Sequence, residues 1–171
     1  MMRPPPRLRI TGPAPSRHPD GNSGRGGGEM ARSDFRFHVP KRVRYSEIDA
    51  QAVVFNARYL DYLDIAMSEY FRTLRVPGGK DGLHFQFART TLNYRKPIRF
   101  DEMIDLCVRC ARIGTASITL AFEYHGAGGE DLRCEGESVI VNLAGIGAGS
   151  APVPPAIVAL FEAHEGRSLR A

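Results

Sequence analysis

Only one long stretch of this chain repeats its apolar residues at helical spacing, and nearly everything after it repeats them at every second residue. Leu60, Leu63, Met67, Tyr70, Phe71 and Leu74 recur at three- and four-residue steps, which predicts a helix of about five turns. Asn56 stands where its N-cap belongs, and Pro77-Gly78-Gly79 ends it. Strand periods follow. Ile104, Leu106, Val108 and Cys110 alternate with Asp105, Cys107 and Arg109; Ile118, Leu120, Phe122 and Tyr124 alternate with Thr119, Ala121 and Glu123. Phe85–Tyr94 and Leu132–Leu143 complete the set, with Gly136 as a candidate bulge and Gly126–Gly129 as a hairpin loop. Ahead of the helix, Phe35, Phe37, Val39, Val43 and Tyr45 share strand parity across an interruption at Pro40. Ala156–Ala163 reads as a short C-terminal helix. The order is strand, long loop, long helix, then four strands joined as hairpins. One helix must serve a whole antiparallel sheet, so the expected class is α+β, with a curved sheet wrapped around a single central helix.

Charge separates the chain into two parts. Residues 1–29 hold six of the twelve Pro, six of the eighteen Gly, and five Arg against Asp20 and Glu29. Such a segment buries too little surface to offset the entropy of ordering. A disordered tail is therefore expected over 1–33 and one folded domain over 34–166. Met30 would then serve as initiator, which N-terminal mass spectrometry of the natural protein checks. The rest of the chain carries 18 basic against 17 acidic residues. The high pI thus belongs to the tail, and no nucleic-acid partner is expected. No apolar run reaches the roughly 18 residues of a membrane span. Three Cys in 171 residues do not make a disulfide scaffold.

The stretch that carries chemistry is Arg44-Tyr-Ser-Glu-Ile-Asp49-Ala-Gln-Ala-Val-Val-Phe-Asn56-Ala-Arg-Tyr-Leu-Asp-Tyr-Leu-Asp64. It sets a carboxylate in an apolar loop just ahead of a helix N-terminus. Unpaired N–H groups and the positive end of the macrodipole suit a developing oxyanion there. A neighbouring carboxylate can attack a carbonyl or activate water.

These residues resemble the 4-hydroxybenzoyl-CoA thioesterase-like branch of the hotdog-fold superfamily. Its pattern is a strand ending Arg-Tyr/Phe-x-Asp/Glu-x-Asp, then small and apolar residues leading into Tyr-Leu on the helix. The resemblance continues through Asn93-Tyr-Arg-Lys-Pro-Ile-Arg-Phe-Asp-Glu102, Arg112-Ile-Gly-Thr-Ala-Ser117 and Arg133-Cys-Glu-Gly-Glu-Ser-Val-Ile-Val141, covering about Phe35 to Leu143. It implies a hotdog fold and an acyl-CoA thioesterase that needs no metal and no cofactor beyond the coenzyme A of its substrate. It also implies a homodimer or dimer of dimers with the acyl-CoA at the subunit interface, and a cytoplasmic location. Asp49 matches the catalytic aspartate, as nucleophile or general base. Asn56 matches the seventh residue onward, whose backbone N–H polarises the thioester carbonyl. Many relatives carry His or Tyr there, and Asn cannot act as a base. Ala57 and Arg58 are implied beside the substrate, and Arg95, Lys96, Arg99 and Arg112 where relatives meet the CoA phosphates.

Other residues have plainer expectations. Glu47 is expected to be solvated, Asp64 to hydrogen-bond within or between subunits, and Glu69 to face solvent. Cys107 and Cys110 lie three apart on a strand and so point to opposite faces, and Cys134 stands alone, so zinc binding is not expected. The histidines lack a Ser or Cys partner, which disfavours a triad. A hotdog protein that binds acyl-CoA or acyl carrier protein without turnover is the alternative; a hotdog hydratase is disfavoured because its Gly-Asp-x-Asn-Pro-x-His stretch is missing.

Overall fold

The structure, a computed structural model, describes residues 32–77, 83–145 and 147–170. The expected tail over 1–33 and the start at Met30 fall mainly outside those residues. Arg32 and Ser33, expected in the tail, belong to a 3-10 turn, Arg32–Asp34. Arg32 is held there by Asp105 at 2.7 Å.

Five strands follow: β1 (His38–Arg42), β2 (Phe85–Tyr94), β3 (Met103–Ile113), β4 (Ser117–Gly126) and β5 (Leu132–Asn142). They form one antiparallel sheet in the order β1-β3-β4-β5-β2. Helix α1 (Arg58–Thr73) precedes β2, and α2 (Pro155–Glu165) ends the fold. Pro40 lies inside β1 rather than breaking it. β1 is an edge strand, where a missing N–H leaves no ladder partner short. The strand alternation ends before Tyr45, which is 77% exposed and sits in a 3-10 turn, Tyr45–Glu47.

The order corrects one expectation. β2 and β3 are not a hairpin. β2 pairs with β5 at the far edge, so residues 95–102 cross the end of the sheet to reach β3. Arg133 holds this crossing in place. Its carbonyl accepts from the Arg95 and Lys96 N–H groups at 2.8 and 3.1 Å, and its guanidinium donates to the Pro97 carbonyl at 2.6 Å.

α1 buries Tyr59, Tyr62, Leu63, Ala66, Met67 and Tyr70, a stripe at helical spacing. The helix does not bury apolar residues all round. Leu60, read as part of the apolar stripe, is 48% exposed, and Ile65 is 37% exposed. The tyrosines take the buried face because their hydroxyls find partners there: Tyr62 with Glu47 at 2.8 Å and Tyr70 with Glu165 at 2.5 Å. From the sheet, Tyr124 donates to the Tyr59 carbonyl at 2.8 Å. Ile104, Leu106, Val108, Leu120, Phe122 and Ile140 complete the core between helix and sheet.

Gly136 is not a bulge. It pairs in regular register with Leu92 and Phe122. A side chain there would put Cβ 2.0 Å from the Thr91 carbonyl oxygen and 2.5 Å from the Phe122 ring, so close approach explains the glycine. Cys107, Cys110 and Cys134 are buried free thiols. Burial pushes each up to about 12, which keeps them protonated.

Candidate active site

The loop from Arg44 to Ala57 folds back on itself beside the N-terminus of α1. Ile48 bridges Val54 in antiparallel fashion. The Asp49 N–H donates to the Val53 carbonyl at 2.9 Å, and the Phe55 N–H to the Glu47 carbonyl at 2.9 Å. Between the two limbs runs a tight turn. The Ala52 N–H donates to the Asp49 carbonyl at 3.0 Å, with Ala52 in the left-handed region at φ 60°. The half-buried Asp49 side chain accepts from the Gln51 N–H at 2.7 Å through Oδ1. That is the Asx geometry an Asp brings to a turn. It occupies one carboxylate oxygen and leaves Oδ2 for other chemistry.

The return limb rests on the crossing segment. The Val54 N–H donates to the Ile98 carbonyl at 2.8 Å, and Val53 bridges Arg99. The chain then turns into α1. The helix N-cap is Ala57, not Asn56. The Asn56 side chain instead caps one residue on, its Oδ1 accepting from the Ala57 N–H at 2.8 Å. The Asn56 carbonyl accepts from the Tyr59 N–H at 3.3 Å and the Tyr94 hydroxyl at 3.4 Å. Among the hydrogen bonds of the described residues, the Asn56 N–H has no acceptor. It is thus a backbone donor at a helix mouth with its bond unmade.

Glu47, expected in solvent, is the best-connected carboxylate of the loop. Its side chain is 12% exposed. It accepts from the Lys41 ammonium at 2.7 Å, the Tyr62 hydroxyl at 2.8 Å and the Arg44 N–H at 2.8 Å. Burial works to raise its pKa, but the Arg44 N–H, Lys41 and Tyr62 together hold it below the ordinary carboxylate value. On the Tyr62 side, burial and Glu47 keep the phenol protonated, its pKa raised far above the usual range. The sequence held one sign of this role. A Lys six residues earlier on an edge strand and a Tyr on the next helix are the partners a carboxylate in an apolar loop needs.

The cations divide by position. Arg95, Lys96 and Arg99 lie on the crossing segment next to the loop. Arg95 pairs with Glu135 and Lys96 with Asp131 at 2.7 Å. The Arg99 side chain is exposed. Arg58, exposed at the start of α1, pairs with Asp61 at 2.8 Å. Ala57 is exposed beside it. Arg112 stands near the other end of β3, with eight residues of strand between it and Met103, so it lies roughly 30 Å along the strand from the end nearest the loop. Asp64 is exposed on α1, and Glu69, half-buried, pairs with Arg72. His84 precedes β2, at the end opposite Tyr94. His125 is not isolated. It pairs with Glu123 at 2.7 Å, both buried on the sheet face away from α1; their spacing of two along a strand signals a shared face. Among the described residues, no group of three His, Cys, Asp or Glu is placed to hold a metal ion. No helix among them is long and apolar enough to cross a membrane.

A sequence profile of the thioesterase superfamily matches residues 51–132. The match takes in Asn56 and begins two residues after Asp49. An acyl-CoA thioesterase of Haemophilus influenzae, YbgC, is 49% identical over 89 residues; these make up 50% of this chain and 65% of that protein, so the aligned region spans just under two thirds of its length. Two solved structures share the fold. One is a thioesterase of Thermus thermophilus complexed with coenzyme A and zinc, at 30% identity and TM-score 0.71, covering 80% of this chain and 98% of that one. The other is a thioesterase superfamily protein of a Jannaschia species, at 25% identity and TM-score 0.71, covering 80% and 87%. Sheet order, helix placement and these likenesses agree: the chain belongs to the thioesterase superfamily of hotdog-fold thioester hydrolases.

Proposed function

We propose that this protein hydrolyses an acyl-CoA thioester to a carboxylic acid and free CoA, with Asp49 and the Asn56 N–H as its reacting pair. The observation that carries this reading is the unpaired Asn56 N–H at the mouth of α1, on the same folded-back loop as a carboxylate with one free oxygen. Asn56 lies three residues beyond Val53, the hydrogen-bonded partner of Asp49. The return limb therefore spans at most about 10 Å between them. A carboxylate's reach, a near-attack contact of about 3 Å and a carbonyl hydrogen-bonded at about 2.9 Å fill a gap of that size.

The substrate carbonyl accepts from the Asn56 N–H. Asp49 attacks the carbonyl carbon, or takes a proton from a water that does. The tetrahedral oxyanion is held by the N–H, the C–S bond breaks, and the CoA thiolate leaves to take up a proton. In the covalent variant, water then cleaves the acyl–Asp49 anhydride. Arg95, Lys96, Arg99 and Arg58 line the approach to the loop and suit the phosphates of CoA, and Ala57 flanks the carbonyl. Arg112 suits that task only from another subunit.

The working unit in this reading is a homodimer or dimer of dimers. β2 is a ten-residue edge strand, with Phe87 and Tyr94 49% and 53% exposed. An open edge of that length calls for a second chain, and Tyr94 ties it to Asn56. Three free buried thiols suit a reducing cytoplasm.

The test is thiol release from short-chain, long-chain and aromatic acyl-CoAs. Release by the wild type and its loss in Asp49→Asn, by at least about a hundredfold with the fold intact, is expected. Near-normal turnover in Asp49→Asn removes Asp49 from the mechanism. Tight acyl-CoA binding with no release across the panel identifies a non-catalytic binder instead.

A further inference from the structure

We propose that Glu47 is a positioning residue for the Asp49 carboxylate, an inference that rests on the hydrolytic reading above. Among the described residues, Asp49 has no long-range hydrogen-bond anchor of its own. Its hydrogen bonds go to Gln51, Ala52 and Val53, all within its own turn. Those bonds set the shape of the turn but not its place in the molecule. Two features set the place. One is the seating of the return limb on the crossing segment, by the Val54–Ile98 backbone bond and the Val53–Arg99 bridge. The other is Glu47, two residues before Asp49.

Glu47 joins three parts of the fold at one side chain. From β1 comes Lys41, whose ammonium lies 2.7 Å from both carboxylate oxygens. From α1 comes the Tyr62 hydroxyl, 2.8 Å from Oε2. From the outgoing limb comes the Arg44 N–H, also 2.8 Å from Oε2. The Glu47 carbonyl meanwhile accepts from Phe55 on the return limb, at 2.9 Å, one residue before Asn56. One residue thus fixes the limb that carries the carboxylate and the limb that leads to the oxyanion donor, relative to both helix and sheet. Lys41 is oriented in turn, its ammonium 4.5 Å above the Tyr62 ring. Both charged side chains are nearly covered, at 10% and 12% exposed. There the hydrogen bonds gain from the lower dielectric, and a lost partner is felt strongly. The distance from Asp49 to the substrate carbonyl is therefore set by a residue that need not touch the substrate.

The experiment compares wild type, Glu47→Gln, Tyr62→Phe and Asp49→Asn. Each is assayed for thiol release from acetyl-, hexanoyl- and benzoyl-CoA, for melting temperature, and for backbone amide hydrogen exchange by peptide mass spectrometry. Glu47→Gln keeps the shape but loses the charge that binds Lys41. It is expected to lower kcat by about tenfold or more, since displacement of a reacting group by about 1 Å costs up to about a hundredfold. KM should stay within about twofold, as befits an interaction realised in the transition state. Exchange should rise in peptides covering 48–56 and stay at the wild-type level in the distant hairpin at 113–117. Tyr62→Phe removes a single oxygen from the same node and should move kcat and exchange in the same direction by a smaller factor. A folded Glu47→Gln enzyme with wild-type kcat, even one that melts earlier, overturns the proposal, because a merely structural residue changes stability and not turnover per folded molecule. If Glu47→Gln does not fold, Tyr62→Phe decides, and unchanged kcat and exchange there overturn it. Asp49→Asn separates the two ideas: wild-type turnover in that variant removes the hydrolytic reading itself, whatever Glu47 does.

Discussion

At the scale of single residues, the two proposed reacting groups differ in kind, and so should their variants. The Asn56 contribution is a backbone N–H. Asn56→Pro deletes that donor together with the side-chain bond to the Ala57 N–H, which Asn56→Ala also loses, and a loss of about 10²–10³ in kcat is expected. Asn56→Ala keeps the donor and should lose much less; parallel kcat measurements on the two variants check the contrast. Label found in the Asp49 carboxylate after single turnover in ¹⁸O-labelled water identifies covalent attack, with water opening the anhydride at the Asp49 carbonyl, since a general base takes up no oxygen. A second ion pair gives a pH signature. Burial works to raise the Asp105 pKa, but the Gly128 N–H and Arg32 hold it below the ordinary carboxylate value. A depressed carboxylate contributes stability above its unfolded-state pKa of about 3.9 and loses it as pH falls through the lower folded value. Arg32→Ala should therefore cost about 1–2 kcal/mol near neutrality. The gap to wild type should close below about pH 4, as followed by thermal melts from pH 7 to 3. The pairing of Asp49 with Asn56 came from the family resemblance; a carboxylate in a loop ahead of a helix was legible from the residues themselves. Glu47 was not. Its importance comes from Lys41 and Tyr62, candidate partners whose convergence on one carboxylate emerges only when strand and helix are folded together.

At the scale of elements, periodicity located α1 and all five strands, even β4, which is buried on both faces and alternates only in the polarity of its residues. It misjudged which helix residues face inward. The apolar stripe read from the sequence includes Leu60 and omits Tyr59 and Tyr62, yet the two tyrosines are buried, Tyr62 with its hydroxyl bonded and Tyr59 packed against other rings. Strand order was not legible either. A short connection from β2 to β3 reads as a hairpin, and only the pairing of β2 with β5 reveals a crossing. That pairing explains Gly136, where β5 passes close under the Thr91 carbonyl and the Phe122 ring. Gly136→Ala forces backbone apart in the middle of two ladders and should cost roughly 3 kcal/mol. Urea unfolding with an unchanged m-value would measure it. A cost below 1 kcal/mol would mean that β2 moves aside freely.

At the scale of the whole molecule, the Tyr94 end of the open β2 edge reaches the proposed site, its hydroxyl on the Asn56 carbonyl. A charge placed on that edge should act on both. Phe87→Glu is expected to yield monomers by sedimentation velocity and to lower kcat even though Phe87 is remote in sequence from Asp49. Monomers with full activity would show that one chain suffices. The fold class was readable from the count of one long helix to five strands, whereas assembly was not, because an edge is defined only once strand order is known. The crossing between β2 and β3 has a further effect. It supports the return limb through main-chain atoms, from Ile98 to Val54 and from Arg99 to Val53. Peptide groups are the same whatever side chains they bear, so those side chains are free to vary while the loop's frame stays put. A lineage can thus try out new acyl groups by exchanging what surrounds the carbonyl, generation after generation, and keep the machinery that cleaves it.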